Sequence, residues 1–121
     1  MSDQVKVIQQ ELISEIVQRL VVALQPDMVY LYGSHAYGQP HENSDIDLLI
    51  VTRDATSPVY QQTVQAYRAL RGLCVPAEVK VVTRQQFERR SRWLSSIERT
   101  VKEKGRLLYD SRGGRGRRVV A

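Results

Sequence analysis

The chain has 121 residues, a formal net charge of +5 and a single cysteine, Cys74. This length predicts one domain with one hydrophobic core, and a lone cysteine excludes an internal disulfide bond. No apolar run approaches the roughly 20 residues that cross a bilayer, and the N-terminus does not resemble a signal peptide, so we expect a cytoplasmic protein that binds no membrane.

The positive charge is concentrated at the C-terminus, where four arginines lie among three glycines: Arg112, Arg115, Arg117 and Arg118. These arginines account for most of the net charge, and a segment of this composition cannot bury apolar surface. We therefore expect a folded domain over residues 1–110 and a disordered Arg/Gly-rich tail over 111–121. The tail is a candidate for nucleic-acid contact, although a solvated end is the favoured interpretation.

The first three elements are predicted from apolar spacing. A stripe at helical spacing predicts a helix over about 3–24, capped near Ser2 and ended by Pro26. Residues 28–32 form a short apolar run and predict the first strand. After a segment rich in turn residues, a second apolar run predicts a strand over 45–51.

The next elements follow the same alternation of helix and strand. Ser57-Pro58 predicts the start of a helix with Pro58 at its first position, where the missing N–H costs nothing. Residues 77–82 predict the third strand, and Thr83 with Gln86 fits a capping box for a short helix.

The end of the chain before the tail predicts one more helix and one more strand. Leu94, Ile97 and Val101 recur at helical spacing, and Gly105 marks the end of that helix. Residues 107–109 predict a short edge strand. Helices that alternate with strands predict an α/β layer structure.

Two short motifs carry the functional signal. Gly33-Ser34 directly follows the first apolar run, and Asp45-Ile46-Asp47 opens the second. Alternate side chains on a strand share a face, so Asp45 and Asp47 are predicted to point the same way. Two adjacent carboxylates repel each other, and a divalent cation bound between them removes that repulsion. Gly33 and Ser34 end a strand where a helix could begin, which predicts backbone N–H groups that face a phosphate.

The spacing of these motifs, with ten residues between Gly33-Ser34 and Asp45-Ile46-Asp47, resembles the nucleotidyltransferases of the DNA polymerase beta superfamily. The resemblance is in particular to their small prokaryotic branch, the minimal nucleotidyltransferase domains often encoded beside HEPN proteins, and it runs from the first strand to about Tyr109. It implies an α/β (α+β) fold in which a small mixed β-sheet of three to four strands is flanked by helices.

The resemblance also implies an activity. It implies Mg²⁺-dependent nucleotidyl transfer with two metal ions and ATP as the substrate, and a hydroxyl of a HEPN-type toxin as the acceptor, which would make this chain the antitoxin. A small-molecule acceptor is less favoured, because antibiotic-modifying relatives carry an added domain. Since the residues after Tyr109 cannot cover a site, we expect a HEPN-type helical partner or a second copy of the chain to close it.

A third metal-binding carboxylate is implied on the third strand, where it would also help to deprotonate the acceptor. Glu78, five residues before Thr83, matches this position, so the predicted catalytic and metal-binding residues are Asp45, Asp47 and Glu78. Some relatives place the carboxylate three residues before the threonine, where this chain has Lys80. Lys80 would either neutralise phosphate charge or displace a metal ion, and a catalytically weak nucleotide-binding or interaction module is therefore the alternative function.

The residues predicted to bind the nucleotide are Gly33, Ser34, His35 and Lys80. His35 stands where relatives often have arginine, so it is a candidate to contact the phosphates, and a neutral surface histidine is the alternative. The other motifs have structural interpretations as well. Gly33 with Ser34 is also a turn followed by a helix cap, and Glu78 with Lys80 is also an exposed pair on a strand.

Overall fold

The computed structural model describes residues 2–33, 45–53, 57–73 and 76–112. Four helices and four strands lie within these ranges, which confirms the predicted α+β class. In chain order they are α1 (Ser2–Leu24), β1 (Met28–Tyr32), β2 (Ile46–Thr52), α2 (Val59–Ala69), β3 (Ala77–Thr83), α3 (Arg84–Arg90), α4 (Ile97–Lys104) and β4 (Arg106–Asp110).

The four strands form one mixed sheet in the order β3-β2-β1-β4. β1 pairs antiparallel with β2 and β4, whereas β2 and β3 run parallel and are joined by a crossover that contains α2. The end of β1 and the beginnings of β2 and β3 therefore meet at one end of the sheet. In this register Tyr32 lies opposite Asp47, and Asp47 lies opposite Glu78.

The two faces of the sheet are covered by different helices. Ile46, Leu48 and Ile50 of β2 point into the larger core, which is completed by Ile16 and Leu20 of α1, Ala66 of α2 and Leu70 directly after α2. Leu49 and Val51 point to the opposite face and pack with Phe87 of α3 and Val101 of α4. Because Asp47 alternates with Ile46 and Leu48, it lies on the second face, at the open end of the smaller core.

Most predicted boundaries agree with the structure to within a residue or two, and two predictions need correction. Thr83 and Gln86 form the predicted capping box: the Gln86 N–H donates to the Thr83 hydroxyl, and the Gln86 side chain accepts from the Thr83 N–H. Pro58 is the N-cap of α2 rather than its first residue, because its ψ of 147° is extended. Leu94 is not part of the last helix, which begins only at Ile97.

Asp27, directly before β1, lies at the end of the sheet opposite the Gly33 turn and contacts the C-terminal part of the described chain. Its side chain is 1 % exposed, pairs with Arg84 and accepts a 2.9 Å hydrogen bond from the Ser111 hydroxyl. The Arg112 Nε lies 3.8 Å from the same carboxylate. Ser111 and Arg112, the first two residues of the predicted tail over 111–121, thus lie beside Asp27. Residues 113–121 lie outside the described residues, and the tail stays a prediction.

Within the described ranges, no helix combines the length and the apolar composition needed to cross a membrane.

Candidate active site

The turn after β1 brings backbone into direct contact with a carboxylate. Gly33 has a φ of +75°, in the left-handed region that favours glycine. A Cβ built on Gly33 would overlap the Oδ2 atom of Asp47 and lie 3.2 Å from its Cγ atom. Glycine is therefore required here for two separate reasons, its backbone conformation and its contact with Asp47.

Glu78 stands beside Asp47 on the neighbouring strand. The two residues are register partners in the parallel pair β2–β3, and partners on adjacent strands project from the same face, with backbones about 4.8 Å apart. Asp47 is half-buried and Glu78 is exposed. Asp45 lies directly before β2 and is exposed. The structure thus brings Asp47 and Glu78 together on the face that Gly33 borders.

The donor set can be compared with the needs of a metal ion. Among the residues that the structure describes, no three histidine, cysteine or acidic side chains converge as a closed metal cage. Mg²⁺ does not need one, because it usually binds one or two carboxylates and takes its other ligands from water and substrate phosphates. Asp47 and Glu78, two oxygen donors on an accessible face, fit an ion of that kind.

An aromatic pair lies one row deeper in the sheet than Asp47. Tyr30, on the same face as Tyr32, stacks on Phe87 with ring centroids 5.6 Å apart. Its hydroxyl donates toward the Met28 sulfur at 3.7 Å. Burial, and secondly the negative charge of Asp110, raise the pKa of Tyr30 above its ordinary value. The phenol therefore stays neutral and provides packing rather than charge beneath the carboxylates.

Lys80 forms an ion pair with a residue that the sequence motifs did not indicate. It lies in register with Leu49, one row deeper in the sheet than Glu78, and its Nζ is 3.9 Å from Glu98 Oε2. The Glu98 side chain is 3 % exposed and also pairs with Arg90 at 3.4 Å. Glu98 comes from the first turn of α4, and nothing in the sequence near Lys80 signals it.

A family model described as a nucleotidyltransferase domain matches residues 11–108, which is most of the chain and includes β1, β2, β3 and the first part of β4. The chain belongs to the nucleotidyltransferase domain family. This confirms the resemblance drawn from the two motifs. No curated protein shows significant sequence similarity to the chain.

Two solved structures share the fold. A Sulfolobus solfataricus protein classed as a nucleotidyltransferase is 21% identical, with a TM-score of 0.65 over 95% of this chain and 89% of the other. A chain of a toxin–antitoxin structure with AMP-PNP is 19% identical, with a TM-score of 0.56 over 84% of this chain and 76% of the other. At these identities the likeness shows a shared nucleotidyltransferase fold.

Two of the predicted nucleotide-binding residues of this nucleotidyltransferase domain, Ser34 and His35, lie outside the described residues, and their roles stay predictions. The structure does describe Gly33, Asp45, Asp47, Glu78 and Lys80. It brings Gly33, Asp47 and Glu78 to one end of the sheet, and it directs Lys80 toward Glu98.

Proposed function

We propose that this chain is a Mg²⁺-dependent adenylyltransferase that transfers AMP from ATP to a hydroxyl of a partner protein. In this proposal the partner is a HEPN-type helical toxin, the chain is its antitoxin, and both act in the cytoplasm. The observation that carries the proposal is the contact between the Gly33 backbone and the Asp47 carboxylate, with Glu78 in register beside it.

Each residue has a role set by the chemistry of the reaction. The acceptor oxygen forms a bond to the α-phosphorus of ATP while the bond from that phosphorus to the β-phosphate oxygen breaks, and pyrophosphate leaves. Asp47 and Glu78 would hold Mg²⁺, which neutralises phosphate charge when bound, and Asp45 is assigned to the same metal site from the motif alone. Glu78 is exposed and can also accept the proton that the acceptor hydroxyl loses.

The nucleotide phosphates would lie against the turn after β1. Gly33 has no side chain to keep them from the backbone, and Ser34 and His35 follow it directly in the chain. We assign Ser34, His35 and the Gly33 backbone to phosphate binding. Lys80 lies on β3 two residues after Glu78 and would counter the charge of the departing pyrophosphate.

The position of Lys80 supports an active site over the weak-module alternative. A lysine that replaced a metal ligand would have to place its ammonium group between Asp47 and Glu78. Instead, its Nζ pairs with Glu98, whose second partner is Arg90. This arrangement pairs the Lys80 ammonium group with Glu98, a residue outside the Asp47–Glu78 row.

The proposed protein acceptor has two supports. One is the toxin–antitoxin structure with AMP-PNP, which shares the fold of this chain. The other is the exposure of Glu78 and Asp45, because an open site leaves its charges solvated and its electrostatic stabilisation weak. A partner that presents the hydroxyl and covers these carboxylates would remove that weakness.

Calorimetry with ATP, with and without Mg²⁺, tests the nucleotide site. We expect Mg²⁺-dependent binding in the parent and its loss in Asp47→Asn. Glu103→Gln, which removes an exposed carboxylate on α4, is the matched control and should bind like the parent. Undiminished Mg²⁺-dependent binding in an Asp45→Asn/Asp47→Asn double variant would refute the site.

Label transfer from α-labelled ATP to a co-expressed helical partner tests the reaction. Glu78→Gln should lower transfer far more than it lowers ATP binding. A parent that binds ATP but transfers nothing, together with a Lys80→Asp variant that gains transfer, would favour the weak-module alternative. Efficient transfer to a free small molecule without any partner would contradict the protein acceptor.

A further inference from the structure

Three apolar side chains stand in solvent around the predicted start of the last helix. Trp93, Leu94 and Ile97 are 58 %, 84 % and 45 % exposed, and all lie in or directly after the turn between α3 and α4. We call these three residues the turn patch. An exposed Leu alone needs no explanation, but a tryptophan and two aliphatic side chains gathered in one short turn are typical of a binding surface.

Hydrogen bonds hold the turn patch in place. The Trp93 N–H donates to the Arg90 carbonyl at 3.0 Å, and the Ser96 N–H donates to the Trp93 carbonyl at 3.1 Å. The Ser96 hydroxyl lies 2.6 Å from the Arg90 carbonyl oxygen and accepts from the Arg99 N–H at 3.0 Å. The backbone that displays the apolar side chains is therefore already ordered, so a ligand would not have to order it.

The charges beside the turn patch are positive. Arg89 and Arg92 are exposed, and neither forms an ion pair with any residue that the structure describes, whereas Arg90 is paired with Glu98 and Arg99 with Glu103. A two-fold pairing of the patch with a second copy would bring these free arginines toward each other, and like charges across an interface are costly. The charge thus favours a different molecule that carries acidic groups.

The side chains of the patch favour a protein over a nucleic acid. Trp93 could stack on a base, but Leu94, the most exposed of the three, offers no ring and would face phosphates and sugars. A helix with apolar residues every three to four positions would cover all three side chains, and acidic residues on its flank would meet Arg89 and Arg92.

The turn patch is connected to the candidate active site by an ion-pair chain. Arg90, three residues before Trp93, pairs with Glu98, and Glu98 pairs with Lys80 two residues along β3 from Glu78. We propose that the turn patch docks an acidic amphipathic helix of a partner protein. Only the purpose of this docking, to bring an acceptor toward Glu78, rests on the proposed function.

Trp93 is the only tryptophan of the chain, so its fluorescence reports directly on the patch. The probes are two helical peptides of about 18 residues that share a leucine stripe, one flanked by glutamates and the other by lysines. We expect the glutamate peptide to shift the emission of Trp93 to shorter wavelength and to bind at least about tenfold more tightly than the lysine peptide.

Variants identify the surface. Leu94→Asp should abolish binding of the glutamate peptide, and Arg89→Glu/Arg92→Glu should reverse the preference between the two peptides. Val22→Asp is the matched control, because Val22 is 80 % exposed on α1 and should not affect binding. Circular dichroism of each variant verifies that it is folded.

Three outcomes would overturn the proposal. The first is a shift of Trp93 emission with protein concentration alone, which would indicate self-association. The second is quenching by a single-stranded RNA oligonucleotide with no response to the glutamate peptide. The third is no response to either peptide. Peptide binding that persists in Asp47→Asn would keep the docking proposal standing even if the nucleotide site failed.

Discussion

Replacement of Gly33 by alanine should separate the role of this residue in folding from its role at the site. An alanine held at a φ of +75° costs about 1–2 kcal/mol of stability, because its Cβ crowds the following carbonyl. The same Cβ would overlap Asp47 Oδ2 and lie 3.2 Å from Asp47 Cγ. The carboxylate must therefore move, and we expect Mg²⁺-dependent ATP binding to weaken about tenfold or more.

Gly72 is a matched control for the backbone effect. Its φ is +94°, also left-handed, but a Cβ built there has no atom within 4 Å. Gly72→Ala should lose a similar amount of stability, about 1–2 kcal/mol, in urea denaturation. It should bind ATP and Mg²⁺ like the parent in calorimetry, because no side chain of the site has been displaced.

The comparison has a clear contrary result. If Gly33→Ala and Gly72→Ala are both destabilised and both bind Mg²⁺ and ATP like the parent, the contact between Gly33 and Asp47 has no part in nucleotide binding. The assignment of Asp47 as a ligand would then have to be withdrawn. If Gly33→Ala loses no stability, the strain argument from its φ is wrong.

Three further substitutions test the fold. Asp27→Asn should lower the free energy of unfolding by about 2 kcal/mol in urea, because it removes the charge-assisted hydrogen bond to Arg84, which keeps only its pair with Glu88. Gly105→Ala should cost about 1–3 kcal/mol through packing alone, because its φ is ordinary and the new Cβ would lie 2.5 Å from the Val101 carbonyl oxygen. The pKa of Tyr30 is higher in the folded protein than in the unfolded chain. The neutral phenol therefore contributes its full stability below a pH of about 10, and this stability is lost as the pH rises through the pKa of the folded state. Tyr30→Phe should therefore lose less stability than the parent on alkaline titration.

Much of the candidate site was predictable, because it depends on local rules. The alternation of side chains on a strand fixes which residues share a face, so Asp47 had to point to the face of the sheet away from Ile46 and Leu48. The register that makes Glu78 the partner of Asp47 came only from the structure, because it depends on how β2 and β3 pair. The resemblance then implied which carboxylates would bind a metal ion, and those roles stay predictions.

The partner of Lys80 was not predictable from the sequence. Glu98 follows Lys80 by 18 residues and lies on a different element, and a glutamate in the first turn of a helix is common for reasons unrelated to any ligand. Local pattern gives the face of Lys80 but not the helix that covers it. Whether Lys80 points toward a metal position therefore depends on how α4 packs over the sheet, and the sequence does not give that packing.

Leu94 shows how apolar periodicity can mislead when it reflects a binding surface. Leu94, Ile97 and Val101 have helical spacing, but only Val101 is buried, and the turn around Ser96 delays α4 until Ile97. Apolar periodicity shows which side chains avoid water, but it does not show whether they are buried by the same chain or by another molecule. Trp93 and Leu94 are not part of either core cluster, yet hydrogen bonds order the backbone of the turn that displays them. Their exposure is the reason to look for a partner at this turn.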